Sequence, residues 1–166
     1  MGSPQQGAAV PAFDLVNQHG EPVGSRSLWD QAYCLVFYPF AFSRVCTSEL
    51  RELAAEHSRF EDAGVRLLGV SVDHKYALRA YAEQEGLPFE LLADFWPHGA
   101  AAQAFGCFDP RAGRAGRTTF FVAGGRITAA FSSDVGRPRA LEDYRRALRE
   151  LDGGAAAGRI DRRAGL

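Results

Sequence analysis

Cysteine is the residue type in this chain best suited to covalent redox chemistry without a cofactor, and it occurs as Cys34, Cys46 and Cys107. Cys46 stands in the setting that activates a thiol. It lies in the segment Pro39-Phe40-Ala41-Phe42-Ser43-Arg44-Val45-Cys46-Thr47-Ser48-Glu49, where an apolar run of strand length gives way to a helical pattern. A helix N-terminus presents unpaired N–H groups and a partial positive charge, which favour thiolate over thiol, and the thiolate is the nucleophile. Ser43, three residues earlier, can place a hydroxyl beside the sulfur. Pro39 has no N–H and a rigid ring suited to walling the sulfur off from water, and a guanidinium from elsewhere in the chain would complete the charge stabilisation.

The other two cysteines read differently. Cys34 falls inside Ala32-Tyr33-Cys34-Leu35-Val36-Phe37-Tyr38, where a free thiol is ordinary core. Cys107, in Phe105-Gly106-Cys107-Phe108-Asp109, is expected nearer the surface, with a resolving or regulatory role left open. No C-x-x-C pair is present, and His19, His57, His74 and His98 are scattered without ligand spacing, so no metal site is expected.

The elements needed to position Cys46 follow from hydrophobic periodicity. Ala12–Val16 and Glu21–Val23 flank an Asn17–Gly20 turn and read as an N-terminal β-hairpin. Ala32–Tyr38 reads as a central strand buried on both faces and stopped by Pro39. Leu50, Leu53, His57 and Phe60 recur at helical spacing and predict a helix over Cys46–Asp62. Next come a strand over Val65–Val72, a helix over Lys75–Gln84, a short strand at Leu91–Ala93 and a helix over His98–Phe105. Thr118–Val122 and Arg126–Phe131, joined at Gly124-Gly125, predict a two-residue hairpin, and Arg139–Leu151 the last helix. The expected fold is α/β and thioredoxin-like, a mixed central sheet sandwiched by helices. Residues 10–152 form its one domain, with flexible tails at 1–9 and 153–166.

Composition narrows the function classes. At 166 residues, 46% hydrophobic and 23% charged, the chain has the profile of one soluble domain large enough to bury a core without disulfides. A net charge of −1 offers no footprint for nucleic acid or an anionic membrane. With no apolar run long enough to span a bilayer and no leader pattern at the start, a cytoplasmic location is expected.

Pro39, Ser43 and Cys46 resemble the peroxiredoxin pattern P-x-x-x-[T/S]-x-x-C, and Glu49 matches the glutamate usual in that family. Arg117-Thr118-Thr119-Phe120-Phe121-Val122 is similar to the family strand whose leading arginine reaches the thiolate, and Ser71-Val72-Asp73 also fits. Within the family, Pro39–Ser43 and Asp94-Phe95-Trp96-Pro97-His98-Gly99 are most similar to the one-cysteine AhpE subgroup. Ser43 departs from the commoner threonine: the hydroxyl stays, but the methyl that restricts its rotamer is lost.

The resemblance implies a thiol-dependent peroxidase reducing hydrogen peroxide and organic hydroperoxides through a sulfenic acid on Cys46. Ser43 and Arg117 would align the peroxide oxygens, Glu49 would hold Arg117, and neither a metal nor an organic cofactor would be required. The position five residues after Cys46, where some members carry a resolving cysteine, is Arg51. An external thiol is therefore expected as reductant, either a low-molecular-weight thiol with a glutaredoxin-like protein or a thioredoxin. The Phe95-Trp96-Pro97 loop corresponds to a region bordering a dimer contact, which favours a homodimer. The alternatives are a peroxide sensor that relays oxidation to a partner protein, and a two-cysteine enzyme resolved by Cys107.

Overall fold

A computed structural model describes residues 2–151. Its elements are β1 (Asp14–Asn17), β2 (Pro22–Gly24), β3 (Ala32–Phe37), α1 (Arg44–Ala55), α2 (His57–Asp62), β4 (Val65–Ser71), α3 (Lys75–Glu85), β5 (Glu90–Ala93), α4 (Ala100–Ala104), β6 (Phe108–Asp109), β7 (Arg114–Ala115), β8 (Arg117–Ala123) and β9 (Arg126–Ser133). Residues 141–151 form a further helix, α5. Seven strands make one mixed sheet in the order β2-β1-β5-β4-β3-β8-β9, and β6 and β7 form a separate miniature ribbon. As its continuous apolar run predicts, β3 is interior, parallel to β4 and antiparallel to β8, with Cys34 between Leu67 and Phe121.

Alternation along β3 divides the core in two. Cys34, Val36 and Tyr38 face a cluster completed by Cys46, Leu50 and Leu53 of α1, Phe60 of α2, Leu78 and Tyr81 of α3, and Tyr144 and Leu148 of α5. Tyr33, Leu35 and Phe37 face the opposite cluster, with Phe13, Leu28, Ala101, Ala102 and Phe105. Period-2 side-chain placement makes these the two faces of the sheet. At the centre of β4, Gly69 admits no side chain: an added Cβ would lie 2.7 Å from Leu91 Cδ2 and 3.3 Å from Tyr38 Cε1. The β8–β9 hairpin turns through Gly124 and Gly125 at φ 58° and 72°, the paired positive values such a two-residue loop needs.

Several boundaries differ from the sequence reading. The helix expected over Cys46–Asp62 begins at Arg44 and is interrupted at Glu56, whose N–H bonds both Glu52 O and Leu53 O while its carboxylate is drawn to Arg145 and Arg59. The break gives two segments that bring Leu50, Leu53 and Phe60 onto one core cluster. The helix expected over His98–Phe105 shortens to Ala100–Ala104. Gly99 precedes it in the left-handed region, at φ 69°, and the buried Asp94 carboxylate accepts the Ala101 and Ala102 N–H groups at 2.9 Å. The last helix starts after Arg139 because that residue is drawn into the core. Residues 2–9, expected as a free tail, run against the body: Gly7 N donates to Ile127 O and Val10 N to Gly125 O, Ala9 bridges Arg126, and Ser3 Oγ donates to Gly106 O. The tail expected at 153–166 lies outside the described residues. Among the described residues no helix is long and apolar enough to cross a membrane.

Candidate active site

The site is built where β3 ends. Tyr38 N still donates to Val70 O of β4, then Pro39, which is buried, turns the chain into the loop that leads to α1. Ser43 is the N-cap residue of α1, in extended conformation, and Cys46 is the third residue of the helix. The helix therefore starts two residues earlier than the sequence reading had it, and Cys46 remains within its first turn. Its side chain is fully buried against the core.

Arg117, the first residue of β8, brings a guanidinium to the sulfur: Nη2 lies 3.1 Å from Cys46 Sγ. The same group donates through Nη1 to Glu49 Oε1 at 3.2 Å and through Nε to Val135 O at 2.7 Å, so its orientation is fixed by three partners. Glu49 lies one helical turn after Cys46, which places both side chains on the buried side of α1. The carboxylate is shared with a second arginine. Arg139 donates to it through its backbone N at 2.6 Å, through Nε at 3.1 Å and through Nη2, while its Nη1 donates to Phe37 O at 2.6 Å. Burial opposes the charge of Arg139, yet its pKa is held above the ordinary arginine value, with Tyr144 and Glu49 beside it.

Glu49, Arg117 and Arg139 are all buried. Charges removed from water persist when they are paired and hydrogen-bonded. Two guanidinium groups and one carboxylate leave a single positive charge in the cluster, beside the Cys46 sulfur. Ser43 is placed differently from expectation: its hydroxyl donates to Phe40 O at 2.9 Å rather than reaching the sulfur, and its oxygen can still accept from a bound substrate.

The family model described as the AhpC/TSA family matches residues 6–130. The chain belongs to the AhpC/TSA family of peroxiredoxins. It is 40% identical over 117 residues to alkyl hydroperoxide reductase E of Mycobacterium tuberculosis (strain ATCC 25618 / H37Rv), covering 70% of this chain and 76% of that protein. Peroxiredoxin Bcp of Escherichia coli (strain K12) is 36% identical over 88 residues, 53% of this chain and 56% of the relative. Among solved structures, the AhpC of Enterococcus faecalis superposes with a TM-score of 0.82 at 27% identity, covering 95% of this chain and 97% of the other. The peroxidoxin BcpB of Mycobacterium tuberculosis gives 0.77 at 25% identity, covering 90% and 97%. The thioredoxin-like fold expected from the sequence is the fold of these peroxiredoxins.

The other two thiols of this peroxiredoxin are placed apart from Arg117. Cys34 packs in the same core cluster as Cys46, and burial raises its pKa well above that of a free thiol. Cys107 packs against the cluster on the opposite face of the sheet. Burial, with the Asp94 charge beside it, pushes its pKa up to about 12, leaving it a neutral thiol at physiological pH.

The roles of two residues at the site escape sequence reasoning. Arg139 looks like any basic residue near the start of a helix, and nothing local marks it as a partner of Glu49, 90 positions away. Asp73 lies in Ser71-Val72-Asp73, but its bond to the Ala41 N–H of the loop emerges only from the fold. The exposed aromatics Phe95 and Trp96 lie on a separate surface loop, where Phe95 packs edge-on against the His74 ring at 4.8 Å.

Proposed function

We propose that this peroxiredoxin is a thiol-dependent peroxidase, reducing hydrogen peroxide and organic hydroperoxides at Cys46 and drawing its reducing equivalents from an external thiol. The observation that carries the reading is the Arg117 guanidinium 3.1 Å from Cys46 Sγ, held by buried Glu49 and the Val135 carbonyl. The Cys46 thiolate attacks the terminal oxygen of the hydroperoxide. A sulfur–oxygen bond forms as the O–O bond breaks, and the leaving oxygen takes up a proton to depart as water or alcohol. Cys46 is left as a sulfenic acid. Arg117 supplies N–H donors where charge builds on the oxygens, and the Ser43 oxygen, at the mouth of the loop, is available to the peroxide proton. Pro39 closes the loop side without presenting a donor. One external thiol then condenses with the sulfenic acid, releasing water and forming a mixed disulfide, and a second thiol releases Cys46.

External resolution is favoured over an intrachain disulfide because Cys46 and Cys107 lie on opposite faces of the sheet and Cys107 is held protonated. A low-molecular-weight thiol with a glutaredoxin-like protein, or a thioredoxin, fits this scheme. The Cys107→Ser variant is expected to turn over peroxide with such donors at the wild-type rate, to within about twofold. Loss of turnover, with Cys46 oxidation intact, would transfer the resolving role to Cys107 and overturn the one-cysteine scheme. A peroxide relay would use the same Cys46 chemistry. No observation in the structure favours it over turnover with small donors.

The exposed pair Phe95 and Trp96 supports a homodimer in which these aromatics anchor a subunit contact. A chemistry that depends on free thiols suits a reducing, cytoplasmic compartment. A monomeric mass by sedimentation at micromolar concentration would contradict the first, and fractionation away from the cytosol the second.

A further inference from the structure

We infer that Asp73 is a positioning residue for the Cys46 reaction, holding the turn formed by residues 39–42 in the shape that presents Ser43 and the start of α1. The inference deepens the peroxidase reading above and rests on it. Asp73 follows β4 and reaches across to the loop that leaves β3. Its Oδ2 accepts the Ala41 backbone N–H at 2.8 Å, and the same oxygen accepts the Ser71 hydroxyl at 2.7 Å. Ser71 is buried, and its oxygen in turn accepts the Asp73 N–H at 3.3 Å. The carboxylate is therefore fixed from its own side before it receives Ala41.

The turn needs such a restraint. Phe42 is the non-glycine residue with positive φ among those described, at 66°, in the left-handed region that a residue bearing a Cβ adopts only when its surroundings hold it there. Its ring is half exposed and packs on Tyr81 with centroids 4.8 Å apart, and the Tyr81 hydroxyl is 2.9 Å from that of Thr47, the residue after Cys46. Phe42 is thus bracketed by a backbone tether at residue 41 and a ring contact leading back to α1. Without the tether, the relaxed backbone at 42 would carry with it Ser43, the N-cap residue from which α1 and its first-turn Cys46 start. The tether uses Asp73 as an acceptor and makes no use of its charge.

The experiment is the second-order rate of oxidation of the reduced protein by hydrogen peroxide, measured beside the thermal midpoint, for wild type, Asp73→Ala, Asp73→Asn and Ser71→Ala. Asp73→Ala is expected to slow oxidation on the order of ten- to a hundredfold. Asp73→Asn keeps an oxygen for the Ala41 N–H and is expected to recover to within about threefold of wild type, whereas Ser71→Ala falls between. A wild-type rate in Asp73→Ala overturns the inference, and so does an Asp73→Asn variant as slow as Asp73→Ala, which would point to the charge. If Asp73→Ala does not fold, Ser71→Ala decides: slowed oxidation at an unchanged midpoint supports the tether, and a wild-type rate overturns it. Wild type reacting no faster than a free thiol would instead sink the peroxidase reading, and the role given to Asp73 with it.

Discussion

Replacing Arg117 by methionine is expected to lower the rate of Cys46 oxidation by about two to three orders of magnitude, the loss that follows removal of a preorganised donor at developing charge. The side chain does three things at once through three nitrogens: Nη2 meets Cys46 Sγ, Nη1 meets Glu49 and Nε meets Val135 O. Methionine fills much of the same space and supplies none of these bonds. Glu49 keeps Arg139 as its partner through several bonds, so the variant retains a paired carboxylate and is expected to fold. Lysine in place of Arg117 should rescue little, because one ammonium cannot serve sulfur, carboxylate and carbonyl in this fixed fork. Rapid mixing of the reduced variants with peroxide checks both. A methionine variant within about threefold of wild type would remove Arg117 from the chemistry.

Glu49→Ala carries the largest expected effect on stability. It leaves two buried guanidinium groups, those of Arg117 and Arg139, without their shared carboxylate. Removing one partner of a buried ion pair typically costs roughly 3–5 kcal/mol, because the remaining charge is uncompensated. That is a large share of the roughly 5–15 kcal/mol by which a domain is stable. Arg139 also anchors Phe37 O, the residue that ends β3, so the loss is felt where the active-site loop begins. Glu49→Gln, which keeps an acceptor oxygen but no charge, should lie between alanine and wild type. Urea titration of the reduced proteins measures the difference. A loss of less than about 1 kcal/mol for alanine would mean that water reaches the two arginines.

What could be read from the sequence was local. The apolar run of Ala32–Tyr38 identified β3, and paired glycines located the β8–β9 turn. The segment from Pro39 to Cys46 carried the thiol, because strand end, loop and helix start all lie within ten residues. Arg117 and Glu49 came through resemblance alone, and the structure joins them to each other and to the sulfur. Arg139 leaves no local trace, and Ser71-Val72-Asp73 matches the family pattern without revealing what Asp73 holds. Each acts on a segment 90 or 32 positions away, and a lone charge in a sequence gives no sign of whether water or a buried partner will receive it. Helix boundaries failed for a related reason: the interruption at Glu56 and the late start of α5 are set by Arg145 and Glu49, not by propensity. Ser43 was placed on the right loop, but its hydroxyl is satisfied by Phe40 O, a local bond that the spacing of motif residues cannot foresee.

Whether Cys46 is the reacting thiol of a peroxidase is read by quenched-flow oxidation of the fully reduced protein with one equivalent of hydrogen peroxide, followed by mass mapping of the three cysteines. A single oxygen is expected to add at Cys46 at a rate orders of magnitude above that of free cysteine, with Cys34 and Cys107 unmodified and no fast phase in Cys46→Ser. Oxidation of wild type at the rate of a free thiol, or a fast phase that survives in Cys46→Ser, would contradict it.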